Sequence, residues 1–241
     1  FLMAAGLPLP KRIFAHGWWT NEGHKISKSL GNVIDPLQLV EEFGCDQTRY
    51  FLLREVPFGR DGDFSRSSFI QRINSDLAND IGNLSQRTLS FVFKNLEGIL
   101  PAVPKALQHE DEQLLVAADG LLDTVRMSYD QQAFHDGLKQ IWEVVAAANR
   151  YIDQMAPWAL RKTDPNRMAD VLGVLLETIR QVAILLQPIM PKSAEQLLDQ
   201  LKVRTDERNF DRLGGSDRLI AGRKIDKPSG VFPRFSEDEA S

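Results

Sequence analysis

Cys45 is the only cysteine in 241 residues, so the chain has no partner for a disulfide and no thiolate cluster for a zinc site. A reducing, cytoplasmic setting suits it. Net positive charge is also missing: 29 Lys and Arg against 33 Asp and Glu give −4. That excludes a global basic field of the kind non-specific polyanion binders use. A local cationic stripe combined with base contacts stays open. No apolar run reaches the roughly 18 to 20 residues that a membrane span needs. Of the four histidines, His109 and His135 show no metal-ligand spacing. No Ser-His-Asp or paired-carboxylate constellation stands out, so no metal is expected to be held here. The opening Phe1-Leu2-Met3-Ala4-Ala5-Gly6 has neither an initiator methionine nor a charged n-region. It reads as the interior of a longer protein and not as a signal peptide.

The chain is 43% hydrophobic, enough for a sizeable core in one or two domains. Residues 7 to 15, with two prolines, suit a turn feeding a short strand. Asp35-Pro36 supplies an N-cap and a helix-starting proline for a helix ended by Gly44, and a second helix is expected from Asp46 to about Glu55. A loop over 56 to 65 forms the best boundary. Beyond it, apolar residues recur at three- and four-residue steps. One long helix is expected over 66 to 97. Further helices are expected near 110 to 128, from an Asp130 cap to a break at Pro157, from Asp164-Pro165 onward, and over 194 to 201. Helices with one apolar face need partners, which implies a four- or five-helix bundle. Residues 203 to 241 are polar and Gly-rich, end in acidic Glu237-Asp238-Glu239, and suit an extended tail lying against another domain.

The richest chemistry lies between His16-Gly17 and Asp35-Pro36. There Lys25-Ile26-Ser27-Lys28-Ser29 is followed by Gly31-Asn32. Two ammonium groups, two hydroxyls and flexible backbone amides on one loop suit a nucleotide triphosphate, because lysine is a mobile point charge that can follow developing phosphate charge. With few apolar anchors and mutually repelling lysines, the loop is expected to be mobile without nucleotide. Farther on, Asn79, Asn83 and Arg87 stand at i, i+4 and i+8, rotated by only about 40° per step, so they form one polar ridge. Amides can pair with base edges, and a guanidinium can stack or grip phosphate. Pattern alone favours a solvated or helix-packing face. Gly82 leaves room there for close approach. Pro157-Trp158, flanked by Arg161 and Lys162, offers a stacking face beside cations, although a core tryptophan would read the same. Asn149, Tyr151 and Asp153 lie upstream as a possible rim. Trp142 falls on an apolar stripe and is expected in the core. His16 is open to either a ligand contact or a strand-end hydrogen bond, and His24 reads as solvated.

The lysine loop resembles the KMSKS signature of class I aminoacyl-tRNA synthetases, with Ile26 in place of methionine, and its flanks resemble the methionyl-tRNA synthetase family. Asn79-x-x-x-Asn83-x-x-x-Arg87 and Ala156-Pro157-Trp158-Ala159-Leu160-Arg161-Lys162 resemble the anticodon-reading elements of that family. The resemblance runs from Phe1 to about Leu201. It implies a mainly α chain: residues 1–60 as the end of a Rossmann-type catalytic domain, 61–202 as an α-helical anticodon-binding bundle, and 203–241 as the tail. It also implies ATP, with Mg²⁺ accompanying it, bound through Lys25, Ile26, Ser27, Lys28 and Ser29. Lys28 and Lys25 then carry the catalytic charge, and Asn79, Asn83, Arg87 and Trp158 face the anticodon of a methionine tRNA. No His-Ile-Gly-His sequence occurs, so methionine itself is expected to be bound mainly outside this segment, which alone is expected to be inactive. Another class I synthetase for an aliphatic amino acid, or a non-catalytic tRNA-binding module, remains as an alternative.

Overall fold

The computed structural model describes residues 1–215 and 217–236. The acidic stretch Glu237-Asp238-Glu239 lies outside the described residues. The chain is mainly α, with one small sheet near its start. Strands β1 (Trp19–Asn21) and β2 (His24–Lys25) form an antiparallel hairpin, and β3 (Gly62–Phe64) pairs parallel to β1, giving the order β2-β1-β3. Parallel strands need a crossover. Here it is helices α1 (Pro36–Phe43) and α2 (Cys45–Arg54). Asp35 caps α1 by accepting the Leu37 N–H, as its sequence implies. The strand expected within residues 7–15 does not form. Among the described residues that stretch has no neighbouring strand to pair with, and an unpaired strand leaves its ladder groups unsatisfied.

The long helix expected over 66–97 runs from 66 to 95 but is not regular. α3 (Arg66–Arg72) passes into a π-helical segment (Ile73–Gly82) and then α4 (Asn83–Asn95). π-segments are rare and gather at functional sites. Its wider turn brings the Leu77 carbonyl within 2.7 Å of where a Cβ on Gly82 would sit, with Phe232 of the tail 3.3 Å away. Gly82 therefore accommodates the chain's own backbone and tail, and the room expected beside it for a ligand is filled.

The helix expected over 110–128 is two, α5 (His109–Asp119) and α6 (Leu121–Asp130), parted by Gly120, a weak helix former. Because α6 runs through Asp130, the next helix α7 (Phe134–Met155) starts after a turn and is flanked by Ala133, not capped by Asp130. α8 (Pro157–Thr163), α9 (Pro165–Leu186) and α10 (Pro191–Gln200) complete the bundle. α9 packs against α4, α5, α7, α8 and α10 and is buried on every side from Val171 to Leu186. Its buried charge is paired: Arg180 grips Glu177 through Nε–Oε2 at 2.9 Å and Nη2–Oε1 at 2.7 Å. Glu177 also accepts the Leu219 N–H at 2.7 Å, and Arg180 donates to the carbonyls of Arg212 and Asp217. The tail is thereby tied to this chain's own bundle, where Leu219, Ile225 and Phe232 are buried.

Polar junctions hold the sheet-bearing part to the bundle, among them Arg72 Nε on Glu55 at 2.9 Å. Arg49 donates to the carbonyls of Pro188 and Ile189, both at 2.8 Å, and Asp46 accepts the Ser193 N–H at 2.6 Å near the start of α10. A carboxylate there satisfies an orphan donor and complements the helix dipole. The Tyr50 hydroxyl donates to Asp76 of the π-segment at 2.7 Å, while Trp142 Nε1 donates to the Asp76 carbonyl at 3.2 Å. Burial first, then the Asp76 charge, pushes the Tyr50 hydroxyl well above its ordinary value. Trp142 is a core residue, as its apolar stripe implies.

Candidate functional site

The lysine loop hangs from the β1–β2 hairpin. Its turn residues Glu22 and Gly23 both take left-handed backbone angles. Asp63 on β3 fixes the hairpin: its Oδ1 accepts the Thr20 hydroxyl at 2.5 Å and the Gly23 N–H at 2.9 Å. Those bonds, the Thr20 hydroxyl first, hold the Asp63 carboxyl below its ordinary range. Lys28–Leu30 forms one 3₁₀ turn, closed by the Gly31 N–H on the Lys28 carbonyl at 3.2 Å, and the Ser27 and Ser29 hydroxyls pair at 2.7 Å. Ile26 and Ser27 are half-buried, whereas Lys25, Lys28 and Ser29 are exposed. Neither lysine forms an ion pair among the described residues. The loop therefore presents two free ammonium groups beside two hydroxyls, and it has no buried residue in its turn to anchor it.

His16 is exposed, with Nδ1 2.7 Å from the carbonyl oxygen of Gly17. A Cβ on Gly17 would lie 2.0 Å from the Arg60 carbonyl, so glycine there permits the close approach of the 57–61 loop. His24 is exposed, as expected.

The second candidate surface lies on α4 and α8. Arg87 and Trp158 meet: the guanidinium carbon is 5.7 Å from the centroid of an indole that is 46% exposed. Ala156 adopts a left-handed conformation (φ 44) that ends α7 and lets Pro157 start α8, which turns the indole outward. Asp153 Oδ1 accepts from Arg87 Nη2 at 2.7 Å. Arg87, Ser90, Phe91, Lys94, Ile152, Pro157 and Trp158 line a cleft of about 190 Å³. Ser90, Phe91 and Lys94 follow Arg87 by three, four and seven residues. Helical spacing alone would have found them.

Asn79 and Asn83 are both exposed. Asn83 lies one turn, about 6 Å, before Arg87 on the helix. Asn79, in the π-segment, accepts a hydrogen bond from Arg234 of the tail, and Asn74 exchanges two with the Phe235 backbone at 2.7 and 3.0 Å. No motif in the tail pointed to Arg234. Tyr151 is not part of a rim. It is buried, with its hydroxyl on Asp111 at 2.5 Å, and burial and then Asp111 push it far up. Asn149 donates to the Asp80 and Val145 carbonyls and ties α7 to the π-segment.

No group of three His, Cys, Asp or Glu that could hold a metal occurs among the described residues. No helix among them is long and apolar enough to cross a membrane.

Residues 1–89 match the family model "tRNA synthetases class I (M)", and residues 101–241 match that of the anticodon binding domain of methionyl tRNA ligase. The chain is 55% identical over 240 residues to a methionine–tRNA ligase of Rhizobium meliloti, covering 100% of this chain and 46% of that protein. With a methionine–tRNA ligase of Brucella suis it shares 54% over 237 residues, 98% of this chain and again 46% of the other. Among solved structures, Mycobacterium tuberculosis methionyl-tRNA synthetase bound by methionyl-adenylate superposes with a TM-score of 0.89 at 48% identity. That match covers 96% of this chain and 46% of the other. The chain thus spans about half the length of the curated relatives it matches. A helical bundle with an exposed indole under an arginine, joined to a strand-borne lysine loop, and these matches over both parts agree: the chain belongs to the methionyl-tRNA ligase family.

Proposed function

We propose that the chain supplies the ATP loop and the anticodon-reading surface of a methionine–tRNA ligase. In this reading residues 1–60 close the catalytic domain, 61–202 form the anticodon-binding domain, and 203–241 are its tail. The reaction has two steps. The methionine carboxylate attacks the α-phosphate of ATP, giving methionyl-adenylate and pyrophosphate. A terminal ribose hydroxyl of the tRNA then takes the methionyl group and releases AMP. Methionyl-tRNA feeds protein synthesis, and a cytoplasmic setting suits that role. A relative with methionyl-adenylate bound supports the first step.

In the first step Lys28 follows the charge that builds on the phosphates as pyrophosphate leaves, and Lys25 holds the ground-state triphosphate. Ser27 and Ser29 offer hydroxyl donors, and Ile26 anchors the loop from its half-buried position. Mg²⁺ would come with the nucleotide and shield its phosphates; among the described residues no cluster of three His, Cys, Asp or Glu would hold it separately. In the recognition step a base stacks on Trp158, Arg87 engages the same nucleotide, and Asn79 and Asn83 present amides to base edges.

The Arg87–Trp158 pair carries the reading, since an indole left half-exposed beneath a guanidinium is a stacking platform awaiting a ring. The ATP half is tested in the intact ligase: Lys28→Ala should slow methionine-dependent ATP–pyrophosphate exchange by about two to three powers of ten with the methionine KM unmoved. A rate within about twofold of the parent contradicts the assignment.

A further inference from the structure

Asn32 sits just past the lysine loop and holds it at two points. Its Oδ1 accepts the Ser27 N–H at 2.8 Å, and its Nδ2 donates to the Lys25 carbonyl at 3.1 Å. Its own carbonyl accepts from Asn21 Nδ2 at 2.9 Å, which ties the clamp to β1. One primary amide thereby bridges backbone groups on both sides of Ile26. Lys25, the last residue of the hairpin ladder, and Ser27, beyond it, are thus held by one side chain. The requirement is chemically narrow. The bridge needs an acceptor and a donor on one short planar group, which aspartate, serine and alanine each lack. Apolar packing cannot substitute, because the turn at Lys28–Leu30 has no buried residue.

We infer that Asn32 is a positioning residue for adenylate formation, presetting the turn from which Lys28 reaches the nucleotide phosphates. It touches no substrate. It acts through Lys28 by limiting the conformations the loop must search, so the lysine meets the developing phosphate charge without first paying to order the backbone. This assignment rests on the reading of Lys25–Ser29 as the ATP loop.

The test is a double-mutant cycle in the intact ligase, read by ATP–pyrophosphate exchange at saturating ATP and methionine. Asn32→Ala should slow exchange about ten- to a hundredfold, with the methionine KM and the melting temperature unchanged. Asn32→Asp keeps the acceptor for Ser27 but loses the donor, and should fall between the parent and alanine or below both if its charge draws Lys28 away. In the Lys28→Ala background, Asn32→Ala should add no more than about a twofold further loss, because its effect is carried by the missing lysine. A structural role would instead multiply the two penalties. Asn21→Ala, which removes only the buttress, should give a smaller loss in the same direction, and it serves if the Asn32 variants fold poorly. Multiplying penalties, or an unimpaired Asn32→Ala beside a crippled Lys28→Ala, overturns the assignment. An unimpaired Lys28→Ala overturns the ATP-loop reading itself, and Asn32 with it.

Discussion

Replacing Trp158 with alanine separates recognition from chemistry. The indole is 46% exposed and caps a cleft of about 190 Å³, so its loss removes little core packing and the bundle should stay folded. What it removes is the stacking face. Stacking one base is worth about 1–3 kcal/mol, which corresponds to a rise in tRNA Kd of about five- to 150-fold. Arg87 also loses a cation–π partner 5.7 Å away. That term, about 0.5–1 kcal/mol at an exposed site, is lost in free and bound protein alike and should nearly cancel. The assay is steady-state charging by the intact ligase over a range of tRNA concentrations, run beside ATP–pyrophosphate exchange without tRNA. Trp158→Ala should raise the tRNA KM by the factor above and leave exchange within about twofold. Trp158→Phe keeps a π face and should recover most of the loss. An unchanged tRNA KM for Trp158→Ala, or a Trp158→Phe variant as poor as alanine, would refute the stacking role.

Arg87→Gln removes one cation from the surface and frees Asp153; tRNA binding should weaken and the slope of log K against log salt should flatten by about one, with exchange unaffected. Arg167 donates to both oxygens of buried Asp111, at 2.6 and 2.7 Å. Arg167→Ala leaves that carboxylate uncompensated and should cost about 3–5 kcal/mol of stability in denaturant titration. In the parent, burial raises the Asp111 pKa, but the bonds from Arg167, Tyr151 and the Gln108 N–H outweigh it and hold the carboxyl below its ordinary value. A depressed folded pKa contributes stability that is full above the unfolded value near 3.9 and is lost as pH falls through the folded one. Unfolding curves from pH 6 to 2 should therefore show an acid-limb loss that Arg167→Ala diminishes. The lysine loop, with exposed lysines and no buried residue in its 3₁₀ turn, should be cut by trypsin at Lys25 or Lys28 faster than the bundle, and saturating ATP should slow that cutting. Cleavage unaffected by ATP counts against the loop as its contact.

Helix existence was legible in the sequence because apolar residues recur at helical spacing and because Asp35-Pro36 and Asp164-Pro165 are strong start signals. The π-segment was not, since the same residues satisfy a regular helix and only the three-dimensional packing selects the wider turn. The split at Gly120 was masked in the sequence by the apolar residues on both sides of it. The docking of the tail rests on a few scattered buried apolar residues and on polar contacts to Glu177, Arg180, Asn74 and Asn79, which lie far away in the sequence. The two sites differ likewise. The lysine loop is contiguous and its chemistry can be read locally. Arg87 and Trp158 lie on separate helices, so pattern alone left each ambiguous, and resemblance plus the fold brought them together. Tyr151 read as a polar rim residue because its partner, Asp111, sits on another helix.

The most direct test of the account is binding of an anticodon stem-loop to the intact ligase, followed by fluorescence at fixed salt. The methionine tRNA stem-loop should bind at least tenfold, about 1.4 kcal/mol, more tightly than one with a scrambled anticodon, and Trp158→Ala together with Asn83→Asp should erase that difference. Equal affinity of the unaltered protein for the two stem-loops would contradict it.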